Sequence, residues 1–181
     1  RCARDLCPQP NSQTNVRSTA MLEMAGRPLL FCDVDGVLSL WGFDPSDPPA
    51  GRWAQVDGTT HFLSTRGGDL LRTLCEMFDV VWCTGWEERA DEHLPLLLGL
   101  PSGLPHLTFD GRSRKEVSAH GHWKLPAIDA FAGARPAAWV DDALDDACRR
   151  WAAGRRAPTL LVDTVPACGL DDRCADELRR F

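Results

Sequence analysis

At 181 residues the chain can bury one sizeable core and is short for two domains of usual size. Its composition, 44% hydrophobic and 25% charged, excludes a disordered polyelectrolyte, and no apolar run approaches the roughly 18 residues of a spanning helix. A net charge of −6, with Lys115 and Lys124 the only lysines, argues against a surface built to coat nucleic acid, though local arginine clusters remain compatible with it.

Residues 1–20 are polar, rich in Arg, Asn, Gln, Ser and Thr, and lack the apolar centre of a secretory signal. They are expected to be a disordered leader or tail ahead of one folded domain over 21–181. The apolar run 28–32 leading into Asp33-Val34-Asp35-Gly36 reads as a buried strand and a turn. Residues 41–49, dense in Asp, Pro and Gly, read as loop. The pair Asp57-Gly58 between 52–56 and 59–63 predicts a β-hairpin. A helix is expected over 68–77, a second buried strand over 79–83, a helix over 87–98 and a short strand over 107–109. Residues 111–122 read as loop and 123–131 as helix. A third strand at 137–140, a helix at 144–152, a fourth strand at 159–162 and a helix at 171–180 complete the pattern. Such alternation predicts an α/β fold: a doubly wound, mostly parallel, Rossmann-like sheet with helices on both faces, a small hairpin flap and no large cap domain. Functional residues then gather beyond the carboxyl ends of the strands.

The eight cysteines do not read as a disulfide framework. Cys32 and Cys83 lie in strand-like runs and Cys75 and Cys148 on expected helices, where a thiol acts as a small hydrophobe. Only Cys2 with Cys7, and Cys168 with Cys174, could pair or bind metal, so a reducing, cytoplasmic setting is expected.

Polar residues follow three of the strands: Asp33 and Asp35, then Thr84, then Asp141 and Asp142. Carboxylates brought together repel and stay protonated unless a cation shares the site, and a hard divalent ion such as magnesium removes that cost. Each signal alone has an ordinary explanation. Asp-x-Asp-Gly can be a calcium loop or a turn, a threonine after a strand can be a helix N-cap, Lys124 can be a solvated helix residue, and Asp141-Asp142 can cap a helix.

Together, in this order, the residues resemble the haloacid dehalogenase-like superfamily: two aspartates separated by one residue after the first strand (Asp33, Asp35), Thr84 after the next, Lys124 lying 18 residues ahead of Asp142, and the acidic pair Asp141-Asp142. The likeness covers roughly residues 27–165 and implies a magnesium-dependent phosphomonoester hydrolase working through an aspartyl-phosphate. The resemblance assigns Asp33 as nucleophile and Asp35 as acid and base. Thr84, Gly85 and Lys124 would hold phosphate oxygens. Mg2+ would sit on Asp33, Asp35 through its carbonyl, and Asp142, with Asp141, Asp145 and Asp146 in support. Val37 departs from the threonine often found after the motif's glycine. Because Asp35 is present, the dehalogenase branch does not fit, and a phosphomutase or phosphonate-cleaving enzyme would normally carry a larger cap or another second residue. The competing readings are a small-metabolite or nucleotide phosphatase and, from another class, an inactive phosphate-binding or protein-interaction module.

Too few residues separate Asp35 from Thr84, and Thr84 from Lys124, to hold a folded cap. Within the superfamily this resembles capless members, including phosphatase modules of RNA-repair proteins. It implies a phosphorylated macromolecule, such as a nucleic-acid end or a phosphopeptide, in preference to a sugar phosphate or free nucleotide. The open crevice would be flanked by Trp53 and His61 of the hairpin, by Trp86 and by residues 112–115. His120 and His122 read as loop residues without a ligand role. Trp82 reads as core, and Trp86 or Trp123 as candidates for stacking a base. Arg112, Arg114 and Lys115 read as a solvated loop, with a grip on a phosphorylated polymer as the alternative, and Arg149, Arg150, Arg155 and Arg156 as an exposed helix end.

Overall fold

A computed structural model describes residues 26–109 and 121–181. The expectations for residues 1–20, for Cys2 and Cys7, for Arg112, Arg114, Lys115 and His120, and for the side chain of His122 lie outside the described residues.

Four short apolar segments build a parallel sheet: β1 (Leu29–Cys32), β5 (Asp79–Trp82), β6 (Ala137–Asp141) and β7 (Thr159–Asp163), in the order β5-β1-β6-β7. The central strands β1 and β6 are buried at every position, as expected where a parallel sheet is covered on both sides. Side chains alternate between two cores. Leu30, Cys32, Val80, Trp82, Ala138 and Val140 meet α1 (Thr65–Leu74), α2 (Glu88–Leu98) and α5 (Asp172–Arg179) on one face. Leu29, Phe31, Val81, Ala137 and Trp139 meet α3 (Leu125–Ala132) and α4 (Asp146–Gly154) on the other. The result is an α/β, Rossmann-like arrangement.

The hairpin of β3 (Gly51–Val56) and β4 (Thr59–Ser64) forms at the expected place. Asp57 and Gly58 both take positive φ, 48° and 78°, which suits the twist of a two-residue hairpin turn. A third strand, β2 (Ser39–Leu40), pairs antiparallel with β4, so the flap is a three-stranded sheet. Gly51 is required there, because the ring of Phe62 lies where its Cβ would stand.

Two expectations need correction. The short strand at 107–109 is a single parallel bridge between His106 and Trp82, with Trp82 N donating to Pro105 O and Leu107 N to Trp82 O. Pro105 has no N–H to extend a ladder. Helix α1 starts at Thr65 rather than 68, because Ser64 caps it by accepting from Gly67 N at 2.9 Å. Gly67 and Gly68 look like breakers, but a Cβ on either would stand 3.2 Å from Leu38 Cδ2 or 3.1 Å from Leu98 Cβ, so they permit close helix packing. No helix among the described residues is long and apolar enough to cross a membrane, and Cys32, Cys75, Cys83, Cys148, Cys168 and Cys174 are all free thiols.

Candidate functional site

Parallel pairing of β1 with β6 sets Cys32 opposite Val140, so the residues that follow, Asp33 and Asp141, emerge side by side at the carboxyl ends. Asp33 N donates to Val140 O, tying the turn to the neighbouring strand. The 3-10 turn Gly121–Lys124 ahead of α3 brings Lys124 to the same place. Its ammonium lies 2.8 Å from Asp33 Oδ2 and 2.7 Å from Asp141 Oδ2, and all three residues are buried. Asp33 Oδ1 accepts from Val34 N at 2.7 Å. Asp141 is fully engaged: Trp139 Nε1 donates to Oδ2 at 3.1 Å and Ala143 N to Oδ1 at 2.9 Å. Asp141 therefore positions Lys124, as the sequence reading allowed.

Asp33, Asp141 and Asp142 each offer a carboxylate oxygen within 4.8 Å of the others. One ammonium against three carboxylates leaves two negative charges in a largely desolvated site, the charge of one divalent cation. Burial pushes the Asp33 carboxyl up to about 7, with Lys124 opposing the rise and Asp141 adding to it. Burial and then Asp141 push Asp142 up to about 6. Burial alone would lower the Lys124 ammonium, but Asp33 and Asp141 outweigh it and hold the lysine charged. Gly36 makes room for Asp142: at φ 70° it turns the chain, and a Cβ there would stand 2.6 Å from Asp142 Oδ2. Thr164 Oγ1 donates to Gly36 O at 2.9 Å and fixes that turn from the end of β7. Val37, which departs from the superfamily pattern, is buried in the core, and its carbonyl accepts from Leu170 N.

The raised carboxyls give a pH dependence whose sign follows from proton competition. A cation must displace protons that Asp142 and Asp33 retain up to about 6 and about 7. If these aspartates hold magnesium, as the sequence resemblance implies, its affinity, read by calorimetry, is expected to rise steeply with pH below about 6, less steeply to about 7, and to level off above that. A flat profile would contradict the assignment. The same groups make the cation-free protein lose stability as pH rises from the unfolded value of 3.8 towards about 7, because the folded form keeps protons the unfolded chain has released. On the magnesium-dependent reading that the sequence resemblance implies, Asp142→Ala is expected to raise the magnesium requirement sharply. Asp145→Ala is expected to lower the thermal midpoint while changing that requirement only mildly, since Asp145 is the N-cap of α4, accepting from Ala147 N and Cys148 N at 3.0 Å. Asp146 is exposed in the first turn of the same helix.

Thr84, fully buried after β5, accepts from Trp86 N at 3.3 Å through its hydroxyl, whose own hydrogen is not used in that bond. A Cβ on Gly85 would meet nothing within 4 Å. Glu87 holds φ 54°, a costly value for a residue with a side chain, and its carboxylate accepts from Phe109 N at 3.0 Å. This bent segment carries Trp86 to Asp35: Nε1 donates to Asp35 Oδ2 at 3.0 Å. Trp86 also packs edge-on against His61, with centroids 4.7 Å apart, and His61 Nδ1 shares a 2.9 Å hydrogen bond with Ser39 Oγ. Trp86 and His61, read from sequence as flanks of the crevice and Trp86 also as a candidate for stacking a base, thus form a chain that ends on Asp35. Trp86→Phe keeps the ring and deletes the hydrogen bond. On the hydrolase reading that the sequence resemblance implies, it is expected to lower kcat by about 10–100-fold, the scale of losing an orienting partner, and to alter the pH profile of kcat; an unchanged profile would leave Trp86 a packing residue.

Of the remaining aromatics, Trp82 is core and Trp123 packs on Phe109 at 4.5 Å. Arg149 pairs with Asp163, and Arg155 donates to the carbonyls of Gly133 and Arg135, so these arginines serve the helix ends. No protein-family model matches the chain, and no curated protein sequence matches it.

Proposed function

We propose that the chain is a magnesium-dependent phosphomonoester hydrolase of the haloacid dehalogenase-like type, built on a doubly wound sheet. The observation that carries this reading is the buried Lys124 ammonium bridging Asp33 and Asp141 beside Asp142, at the carboxyl ends of the two central strands. Such a site spends folding energy on concentrating charge, which is reasonable only where a cation and an anionic group complete it.

In this reading Asp33 attacks phosphorus, and the bond from phosphorus to the leaving oxygen breaks as Asp35 gives that oxygen its proton. Water then attacks the aspartyl-phosphate, Asp35 takes the water's proton, the bond from phosphorus to Asp33 breaks and inorganic phosphate leaves. Lys124 neutralises Asp33 and the equatorial oxygens in the transition state, with Thr84 and the Gly85 amide beside it. Asp33, Asp142 and the Asp35 carbonyl would hold magnesium, which supplies further charge neutralisation of the transferring group when bound. The dispersed free thiols support a reducing, cytoplasmic setting.

The test is hydrolysis of p-nitrophenyl phosphate with and without magnesium, and with vanadate. Turnover that needs magnesium and is blocked by vanadate is expected. Tight magnesium binding with no turnover on a broad panel of phosphomonoesters would replace this reading with the phosphate-binding module.

A further inference from the structure

Beside Asp35 lies a pocket of about 520 Å³ between the loop after β2 and the face of the antiparallel sheet. Its walls are largely aromatic, Trp41, Phe43, Trp53, His61 and Phe62, and Asp35 is among the residues that line it. Phe43, Phe62 and Trp53 pack on one another, with centroids 4.6 Å apart for Phe43 and Phe62 and 5.1 Å for Trp53 and Phe62. Large apolar rings are nonetheless left to solvent, Trp53 at 66% exposure and Trp41 at 47%. The volume is that of an ordinary ligand site, and Asp35 in its lining is the proposed acid that would protonate a leaving group.

Charge narrows the occupant. Among the described residues that line the pocket there is no lysine or arginine. Asp44 and Asp47 are exposed on the loop that forms its rim, with Asp44 pinned by Ser46 N and Oγ at 2.8 Å. A polynucleotide would bring further phosphates against aspartates, with no lysine or arginine among the described residues of these walls to receive them. An uncharged flat ring meets no such cost and gains stacking against tryptophan.

We propose that this pocket seats the leaving group of the substrate, and that the substrate is a phosphomonoester carrying an uncharged aromatic ring and no second phosphate. The inference rests on the phosphatase reading for its placement beside Asp35. It deepens that reading by choosing among phosphorylated partners: an aromatic ester, free or displayed on a peptide, in place of a nucleic-acid end.

The test separates binding from chemistry. Two non-hydrolysable probes, 2-phenylethylphosphonate and butylphosphonate, are titrated in magnesium by tryptophan fluorescence and calorimetry, and the corresponding phosphate esters, whose primary-alcohol leaving groups are alike, are compared in kcat/KM. The ring-bearing phosphonate is expected to bind about 10-fold or more tightly than its alkyl partner, and Trp53→Ala and Trp41→Ala are each expected to erase most of that ratio. Both side chains are exposed, and an unchanged circular dichroism spectrum identifies variants that have kept the fold. Ring and alkyl probes binding within twofold of each other, or a ratio that survives both substitutions, overturns the proposal while leaving the catalytic reading intact. Ring-selective binding without hydrolysis of either ester supports the pocket and removes the phosphatase reading. A 5′-phosphorylated oligonucleotide that binds more tightly than the ring probe, with affinity falling steeply as salt rises, overturns the proposal in favour of a polyanion.

Discussion

On the proposed mechanism, Asp33→Asn is expected to lower turnover by several orders of magnitude and to leave the fold standing. An amide oxygen is a far poorer nucleophile than a carboxylate, and loss of a covalent catalyst removes the whole two-step route. The shape hardly changes: the carbonyl oxygen of asparagine can still accept from Val34 N, which now bonds Oδ1 at 2.7 Å. Lys124 keeps Asp141 at 2.7 Å as a counter-charge, so the ammonium is not left alone in the core. The measurement pairs steady-state kcat with a thermal melt. A melt near that of the parent with activity lost is the expected pattern, whereas activity within about tenfold of the parent sinks the nucleophile assignment.

Lys124→Met is expected to damage both activity and stability. Removing one partner from a buried ion pair typically costs about 3–5 kcal/mol, because the remaining charge stays buried and uncompensated, and here two carboxylates are stranded. For a domain of this size that corresponds to a fall in melting temperature on the order of 10 °C. Loss of a preorganised cation facing the transferring group adds a fall in kcat of about 100-fold or more. The double variant Asp33→Asn with Lys124→Met sharpens the test. If the two groups form a pair, it should melt higher than the sum of the single effects allows, since the stranded charge at Asp33 is gone. Strict additivity would mean that the 2.8 Å contact carries no coupling.

The legible parts of this fold were those set by local pattern. The runs at β1 and β6 are apolar at nearly every position and buried throughout, as a parallel sheet covered on both faces requires, and Asp57-Gly58 specifies its turn by needing positive φ twice. The parts that were missed depend on contacts distant in sequence. Strand β2 is two residues long and exists because Leu63 and Phe62 stand opposite Ser39 and Leu40. Gly67 and Gly68 resemble a helix stop until Leu38 and Leu98 are seen pressing on them. The site divides in the same way. Asp33, Thr84, Lys124, Asp141 and Asp142 could be picked out because each follows a strand or stands at a set interval from one that does. The bond from Trp86 to Asp35 joins residues 51 apart and has no local signature. The sequence reading put the helix cap at Asp141-Asp142 and gave Asp145 a supporting role, but it is Asp145 that accepts from the first turn of α4 as the cap.

The central claim is a covalent bond between Asp33 and phosphorus, and it can be trapped. Protein mixed with magnesium and a phosphomonoester, quenched in acid within milliseconds and reduced with borohydride, should yield homoserine at position 33, because the acyl-phosphate carbonyl is reducible and a free carboxylate is not. The peptide spanning Asp33 is then read by mass spectrometry. The account predicts conversion at position 33 that requires both substrate and magnesium and is absent from Asp33→Asn. Conversion at another aspartate, or steady turnover with no conversion anywhere, would contradict it.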